Sequence, residues 1–264
     1  MQDSQRDIGP DVVGRDADID GLQAARTALA QARGLLIDLD GTLMHAHRVL
    51  PGARDLIRRH GRRSMVLSNN SSDTCATLSQ RLRVAGMEIP AGRIILAGVE
   101  TIALTARRWP GARVLLCAAP VLQAAAAEAG LCLTRERAEV VIIARDEQFD
   151  YAALSAAANA VSRGAAFVVT NPDGAHPGPG RLRVPETGAL AAAVAAAAGR
   201  QPDLVVGKPS PGLFQTALAK LGLTADQALM IGDNPATDGR GASALGMPAC
   251  ILDDTLTLPR LLAA

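Results

Sequence analysis

Four short polar clusters carry the residue types that handle phosphate and metal ions: Asp38-Leu39-Asp40-Gly41-Thr42, Ser68-Asn69-Asn70, Gly207-Lys208-Pro209 and Gly232-Asp233-Asn234-Pro235-Ala236-Thr237-Asp238. Asp38 and Asp40 are two residues apart, so in extended chain their side chains share a face. Two carboxylates that close repel unless a cation lies between them, and a hard divalent ion such as Mg²⁺ takes oxygen ligands. One carboxylate can then attack phosphorus while the other shuttles a proton. Ser68, with Asn69 and Asn70, opens a predicted helix, where backbone N–H groups favour an anion. Lys208 can neutralise the nucleophilic carboxylate and a phosphoryl oxygen. Asp233 and Asp238 supply a second metal carboxylate and a supporting one that orients Lys208 or a bound water. Taken singly, these clusters read as a turn, a helix cap, a solvated lysine and an Asx-turn. Taken together, they predict a phosphate-and-metal site.

The elements that position them repeat one pattern. Each cluster follows an apolar run: Leu35-Leu36-Ile37, Met65-Val66-Leu67, Leu204-Val205-Val206 and Leu229-Met230-Ile231. Such runs, separated by helical stretches, read as buried strands of a parallel sheet, and ligands bind beyond the carboxyl ends of such strands. All four clusters are therefore expected on one rim. Helices are predicted over 19–33, 51–60, 74–85 and 99–108, with Ser71-Ser72-Asp73 offering the N-cap of the third. Residues 1–18 lack periodicity and are expected to be flexible. After Trp109-Pro110-Gly111 a second alternation begins, with strands at 113–117, 140–144 and 166–170 and helices at 121–129, 151–162 and 188–198. It carries none of the four clusters. The expected division is a core of 1–110 and 203–264 with an inserted domain of 111–202.

The 264 residues suit two modest domains, and 48% apolar with 20% charged residues describes a well-packed globular chain. A net charge of +1 and 2% aromatics recommend neither nucleic acid nor an anionic membrane as partner. Cys75, Cys117, Cys132 and Cys250 are scattered, which suits a reducing cytoplasm. The first 20 residues lack the apolar core of a signal peptide, and no stretch reaches the roughly 18 apolar residues of a membrane span.

Those four motifs, in this order, resemble the haloacid dehalogenase-like hydrolase superfamily. Within it the chain is similar to the NagD or p-nitrophenylphosphatase-like subfamily IIA. Val168-Val169-Thr170-Asn171-Pro172-Asp173, Gly188-Ala189-Leu190 and Gly199-Arg200-Gln201-Pro202 add to the match. The resemblance implies an α/β fold, a Rossmann-like parallel-sheet core with an inserted α/β cap of the C2a type. It implies a Mg²⁺-dependent phosphatase acting on a small-molecule phosphate monoester through an aspartyl-phosphate. Asp38 would be the nucleophile, and Asp40 general acid and then base, its backbone carbonyl also facing Mg²⁺. Asp233 would be the other metal carboxylate. Gly41, Thr42, Ser68, Asn69 and Lys208 would bind phosphate, supported by Asn70, Asn234 and Asp238. The loop 171–180 corresponds to the cap's specificity loop, making Asn171, Asp173 and His176 candidates for reading the leaving group. Homodimerisation through the cap is also implied.

The alternatives are a phosphorylatable receiver-like domain and a catalytically silent phosphate-binding protein. A receiver is about half this length and sets its acidic pair before the phosphorylated Asp; the intact acidic set speaks against a silent module. His45 and His47 read as a polar loop at the pocket mouth, since a hard cation wants oxygen, and His60 as structural. The chain departs from the family pattern at residues 1–33, at Gly239, which is expected to loosen the following helix, at Glu186, and at Cys250-Ile251-Leu252-Asp253-Asp254.

Overall fold

The computed structural model describes residues 14–46, 48–177 and 182–263. Helix α1 (Gly14–Gln31) leads into β1 (Gly34–Asp38), followed by a small hairpin of β2 (Met44–His45) and β3 (Arg48–Val49). Next come α2 (Ala53–His60), β4 (Ser64–Ser68), α3 (Cys75–Val84), β5 (Ile94–Leu96) and α4 (Ala97–Arg108). The second alternation comprises β6 (Arg113–Cys117), α5 (Pro120–Glu128), β7 (Cys132–Leu133), β8 (Val140–Ile143), α6 (Tyr151–Ser162) and β9 (Ala166–Val169). A hairpin of β10 (Ala175–Pro177) and β11 (Arg183–Pro185) precedes α7 (Thr187–Ala198) and β12 (Leu204–Val205). The remaining elements are α8 (Gly212–Leu221), β13 (Ala228–Gly232), a π-helical turn at Pro235–Gly239, α9 (Arg240–Ser243), β14 (Ala249–Ile251) and α10 (Leu258–Leu262).

The first sheet runs β14-β13-β1-β4-β5, parallel throughout. Successive strands wind outward from β1 in opposite directions, so the crevice of this doubly wound sheet opens at the carboxyl end of β1, where Asp38 sits. The second sheet, β12-β9-β8-β6-β7, is also parallel.

Because side chains alternate across a strand, the two sheets make three apolar layers. Leu35, Ile37, Val66, Leu229 and Ile231 fill the outer face of the first sheet. Leu115, Val141, Ile143, Phe167 and Val169 fill the outer face of the second. Between them lies one continuous layer: Leu36, Met65, Leu67 and Met230 share a cluster with Val114, Val140, Ile142 and Val168. Ile102 of α4, Leu122 of α5 and Phe214 of α8 fill it. Shared apolar burial thus joins the two sheets as well as the linking chain.

Several expectations need correction. The run at 204–206 is no strand of the first sheet. Leu204–Val205 form an edge strand of the second sheet beside β9, and Val206 N donates to Val169 O at 3.0 Å, extending that ladder. The chain leaves α7 against this sheet, whose β9 edge is otherwise open. Gly14–Asp18, expected to be flexible, continue α1. The N-cap of α3 is Thr74, whose hydroxyl accepts from Thr77 N at 3.1 Å, while Thr77 Oγ1 accepts from Thr74 N at 2.9 Å. Ser71 is committed elsewhere, as described below. Asp238-Gly239 wind as the π-helical turn, and the helix after them has only 4 residues. The departing C-terminal segment still forms β14. Residues 1–13, His47, Gly178, Pro179 and Gly180 lie outside the described residues.

Candidate active site

Asp38 ends β1 and is buried, at 5% exposure. Its Oδ1 meets the ammonium of Lys208 and its Oδ2 faces Thr42 Oγ1 at 3.5 Å. Lys208 Nζ also reaches Asp238 Oδ1 at 2.7 Å. Burial works against charge on both partners of the Asp38–Lys208 contact. It raises the Asp38 pKa despite the lowering by Lys208. On Lys208 burial acts downward, but the carboxylates of Asp38 and Asp238 outweigh it, and the net shift is upward. The close contact makes Lys208 a charged ammonium. Asp38 is left as the under-compensated member, since Lys208 is shared with Asp238.

Two glycines make the geometry possible. Gly41 has φ +88°, and a Cβ there would lie 2.1 Å from Asp233 Oδ2. The first loop can therefore close over Asp233 only with glycine at this position. A Cβ on Gly232 would lie 2.2 Å from Asp238 Oδ2. Asp238 is in turn fixed by Asn234, whose N–H donates to its Oδ2 at 3.2 Å and whose carbonyl accepts from Asp238 N at 2.9 Å.

Asp38, Asp233 and Asp238 each offer a carboxylate oxygen within 4.8 Å of the others. Burial, with the nearby Asp238 carboxylate, raises the Asp233 pKa. Three carboxylates around one ammonium leave net negative charge in a partly desolvated site. A hard divalent cation offsets it, and an all-oxygen donor set suits Mg²⁺ or Ca²⁺ rather than a soft metal. The residues present fit such an ion.

Asp40 is not part of this trio. Its carboxylate is open to the cleft yet crowded by protein, which raises its pKa; Lys208, Ser68 and, more weakly, Arg81 and His176 act in the opposite direction. Ser68 Oγ donates to Asp40 Oδ2 at 3.4 Å and accepts from Asn70 N at 3.0 Å. Asn70 caps the following turn, its Oδ1 accepting from Ser72 N and Asp73 N at 2.9 Å.

Asn69, expected to bind phosphate, has its side-chain amide committed to protein. Its Oδ1 accepts from Lys208 N at 2.7 Å, and its Nδ2 donates to Lys208 O at 3.1 Å and to Asp173 Oδ2 at 3.0 Å. A Cβ on Gly207 would come within 2.6 Å of Asn69 Oδ1. One amide therefore ties the second motif to the third and to the loop of the second sheet.

That loop divides into two roles. Asn171, expected to read the leaving group, is 1% exposed and points into the joint between the two sheets. Its Nδ2 donates to Asn69 O at 2.8 Å and to Thr187 Oγ1 at 3.1 Å, and Ser71 Oγ is 3.0 Å from Thr187 Oγ1. It is a structural residue, because its donors are already spent on protein acceptors. Asp173 and His176 remain on the cleft side, both near enough to act electrostatically on other site groups. His176 Nδ1 lies 2.7 Å from Glu186 Oε1, off the direction of a hydrogen bond, and Arg145 Nη1 is 3.4 Å from the same oxygen. Sequence reasoning missed the Ser71–Asn171–Thr187 network and the Glu186–Arg145 pair; the unusual Glu186 was the available signal. His45 is exposed on β2, and His60 Nδ1 lies 3.2 Å from Arg63 Nη2.

A family model described as haloacid dehalogenase-like hydrolase matches residues 32–246. Dihydroxyacetone phosphatase of Corynebacterium glutamicum is 31% identical over 220 residues, covering 82% of this chain and 79% of that protein. The structure of NagD from E. coli K-12 superposes with a TM-score of 0.76 at 28% identity, covering 84% of this chain and 88% of that one. Glycerol phosphate phosphatase from Mycobacterium tuberculosis, in complex with magnesium, gives a TM-score of 0.79 at 28% identity, covering 88% and 76%.

Proposed function

Because the chain belongs to the haloacid dehalogenase-like hydrolases, among NagD-like phosphatases, we propose that it hydrolyses a small-molecule phosphate monoester by passing the phosphoryl group through Asp38, with Mg²⁺ as cofactor. The observation that carries this reading is the placement of Asp38 at the mouth of the β1 crevice, against Lys208 and beside two further carboxylates. Asp38, Asp233 and the backbone of Asp40 would hold the cation, with Asp238 behind them. The bound ion supplies charge neutralisation for the phosphoryl oxygens and screens Asp38 from the substrate's negative charge.

The protein's own groups perform the rest. Lys208 neutralises a phosphoryl oxygen, and Ser68 and the N–H groups of Thr42 and Asn69 offer it donors, whereas the Gly41 N–H, expected to bind phosphate, is spent on Met44 O at 2.7 Å. Asp38 Oδ attacks phosphorus as the bond to the leaving oxygen breaks, and Asp40 protonates that oxygen. Water then attacks the aspartyl-phosphate, Asp40 takes its proton, and the P–O bond to Asp38 breaks, releasing phosphate. Asp40 keeps contact with solvent, and its raised pKa favours the protonated form that the first half requires.

In this reading residues 1–110 and 203–264 form the catalytic core and 111–202 the cap, with β12 completing the cap's sheet. Asp173 and His176 select the leaving group. No helix among the described residues is long and apolar enough to cross a membrane, and the scattered free thiols favour a cytoplasmic protein. A homodimer formed through the cap belongs to the same proposal. The dihydroxyacetone phosphatase and the glycerol phosphate phosphatase among the relatives favour a compact, hydroxylated phosphate ester. Hydrolysis of p-nitrophenyl phosphate and of a panel of triose, polyol and sugar phosphates tests this. Loss of turnover in Asp38→Asn, with the fold retained, supports it. A receiver-like or silent binding protein would give no turnover on any ester.

A further inference from the structure

A second cleft, of about 610 Å³, lies at the opposite rim of the first sheet. Five cations line it: Arg33, Arg62, Arg63, Arg93 and Lys220. Their positions follow from the topology. Arg33 immediately precedes β1, the turn at Gly61–Arg63 feeds β4, the turn at Ala91–Arg93 feeds β5, and Lys220 is in the last turn of α8. Three neighbouring parallel strands thus present basic residues at their amino ends, about 16 Å of strand away from Asp38 and Ser68. Met65, Leu221 and Leu223 give the cleft an apolar floor.

The acidic partners of a surface charge network are missing. Among the described residues, none of these five cations has a carboxylate within 4.0 Å, although nine such contacts occur elsewhere in the chain. Arg63 and Arg93 spend part of their donor set on protein: Arg63 Nη1 donates to Ala32 O, its Nη2 donates to Leu29 O at 3.0 Å and lies 3.2 Å from His60 Nδ1, and Arg93 Nη1 donates to Ser64 O at 3.2 Å. These bonds fix the two guanidinium groups in place while leaving other N–H groups unused. The side chains of Arg33, Arg62 and Lys220 make no hydrogen bond among the described residues. Burial lowers the Arg63 pKa. Lys220 alone reads as a helix-end cation and Arg62 alone as a solvated side chain. Five together, around a concave apolar floor, form a receptor for negative charge.

From this juxtaposition we infer that the cleft binds a small organic polyanion, a metabolite carrying two or more phosphoryl groups on a compact body. Guanidinium forks match phosphoryl oxygens bidentately, and the volume lies in the range of small-molecule sites. The site is separate from the catalytic one and needs no metal.

The probe is 1,3,6-naphthalenetrisulfonate, which a phosphatase cannot hydrolyse and which pairs three fixed negative charges with an apolar ring system. Titration calorimetry on the full, metal-loaded chain should give one site, weakened by salt, with 2-naphthalenesulfonate binding far less well. Arg62→Gln/Lys220→Gln should lower the affinity by about tenfold or more, the effect of losing two charge-assisted contacts. Gly92→Glu is the second variant: Gly92 lines the cleft and a Cβ there meets nothing within 4 Å, so a negative charge can be added beside the cations without a backbone clash. It should abolish binding. Both variants should keep wild-type kcat/KM on p-nitrophenyl phosphate, which verifies their folding. Competition by tripolyphosphate but not by citrate, in excess Mg²⁺, supports the phosphoryl class; citrate competing equally overturns that choice of class. No trisulfonate binding, or equal binding by wild type and both variants, overturns the site.

Discussion

Lys208 and Asp238 form a buried ion pair, Nζ lying 2.7 Å from Oδ1 with the two residues 2% and 0% exposed. Asp238 thereby holds the same ammonium that meets Asp38. Removing one partner of a buried pair leaves an under-compensated charge, at about 3–5 kcal/mol. Asp238→Ala should lose stability of that order in urea denaturation. Asp238→Asn, which keeps a hydrogen-bond acceptor, should lose less and should lower kcat more than it raises KM. A stable Asp238→Ala with unchanged kcat would show that Lys208 does not depend on it.

Asp40 is close to Ser68 and open to the cleft, which suits proton transfer to a leaving oxygen. Alkyl esters need that proton more than aryl esters do. Asp40→Asn should therefore lower kcat on an alkyl phosphate by about 10²–10⁴-fold, and on p-nitrophenyl phosphate by much less where phosphorylation limits the rate. Equal losses on both would assign Asp40 to holding the cation only.

Asp38, Asp233 and Asp238 repel one another in the absence of a cation. Added Mg²⁺ should raise Tm in a concentration-dependent way, as expected for a ligand that binds only the folded chain. Asp233→Asn should flatten that dependence while raising the Tm measured without metal. A Tm indifferent to Mg²⁺ in the wild type would contradict the assignment of these carboxylates, independently of any activity assay.

The cap loop supplies a contrast between neighbours. Asn171 is enclosed by Asn69, Ser71 and Thr187, and truncating it leaves buried acceptors unpaired. Asn171→Ala should destabilise by about 1–3 kcal/mol and lower activity uniformly across esters. Asp173→Ala and His176→Ala should instead shift kcat/KM between substrates while sparing acetyl phosphate. A uniform loss in all three variants would make the loop a matter of closure, not recognition.

Much of this was legible in the chain. Leu35-Leu36-Ile37 and Leu229-Met230-Ile231 are continuous apolar runs because both faces of their strands are covered, and the acids after them fall at strand ends by topology. Leu204-Val205-Val206 has the same composition but joins the other sheet. Apolar runs report burial, and which sheet a strand joins is decided by the edges left open once the rest has folded. The short strands β2, β3, β7, β10 and β11 contain two or three residues each, too few for periodicity to register. Asn171 was expected to read a leaving group, but its amide is spent on Asn69, Ser71 and Thr187. A polar residue type does not say whether its partners will be substrate or protein. The basic cleft escaped notice because its cations are spread from position 33 to 220, and only the parallel register gathers them.

The central claim is that Asp38 carries the phosphoryl group between substrate and water. Rapid acid quench during turnover, followed by peptide mass mapping, tests it directly. The expected result is one phosphoryl increment on the peptide containing Asp38, hydroxylamine-labile as an acyl phosphate is, and absent from Asp38→Asn together with turnover. An unmodified Asp38 peptide throughout turnover, with Asp38→Asn still hydrolysing the ester, would contradict the account.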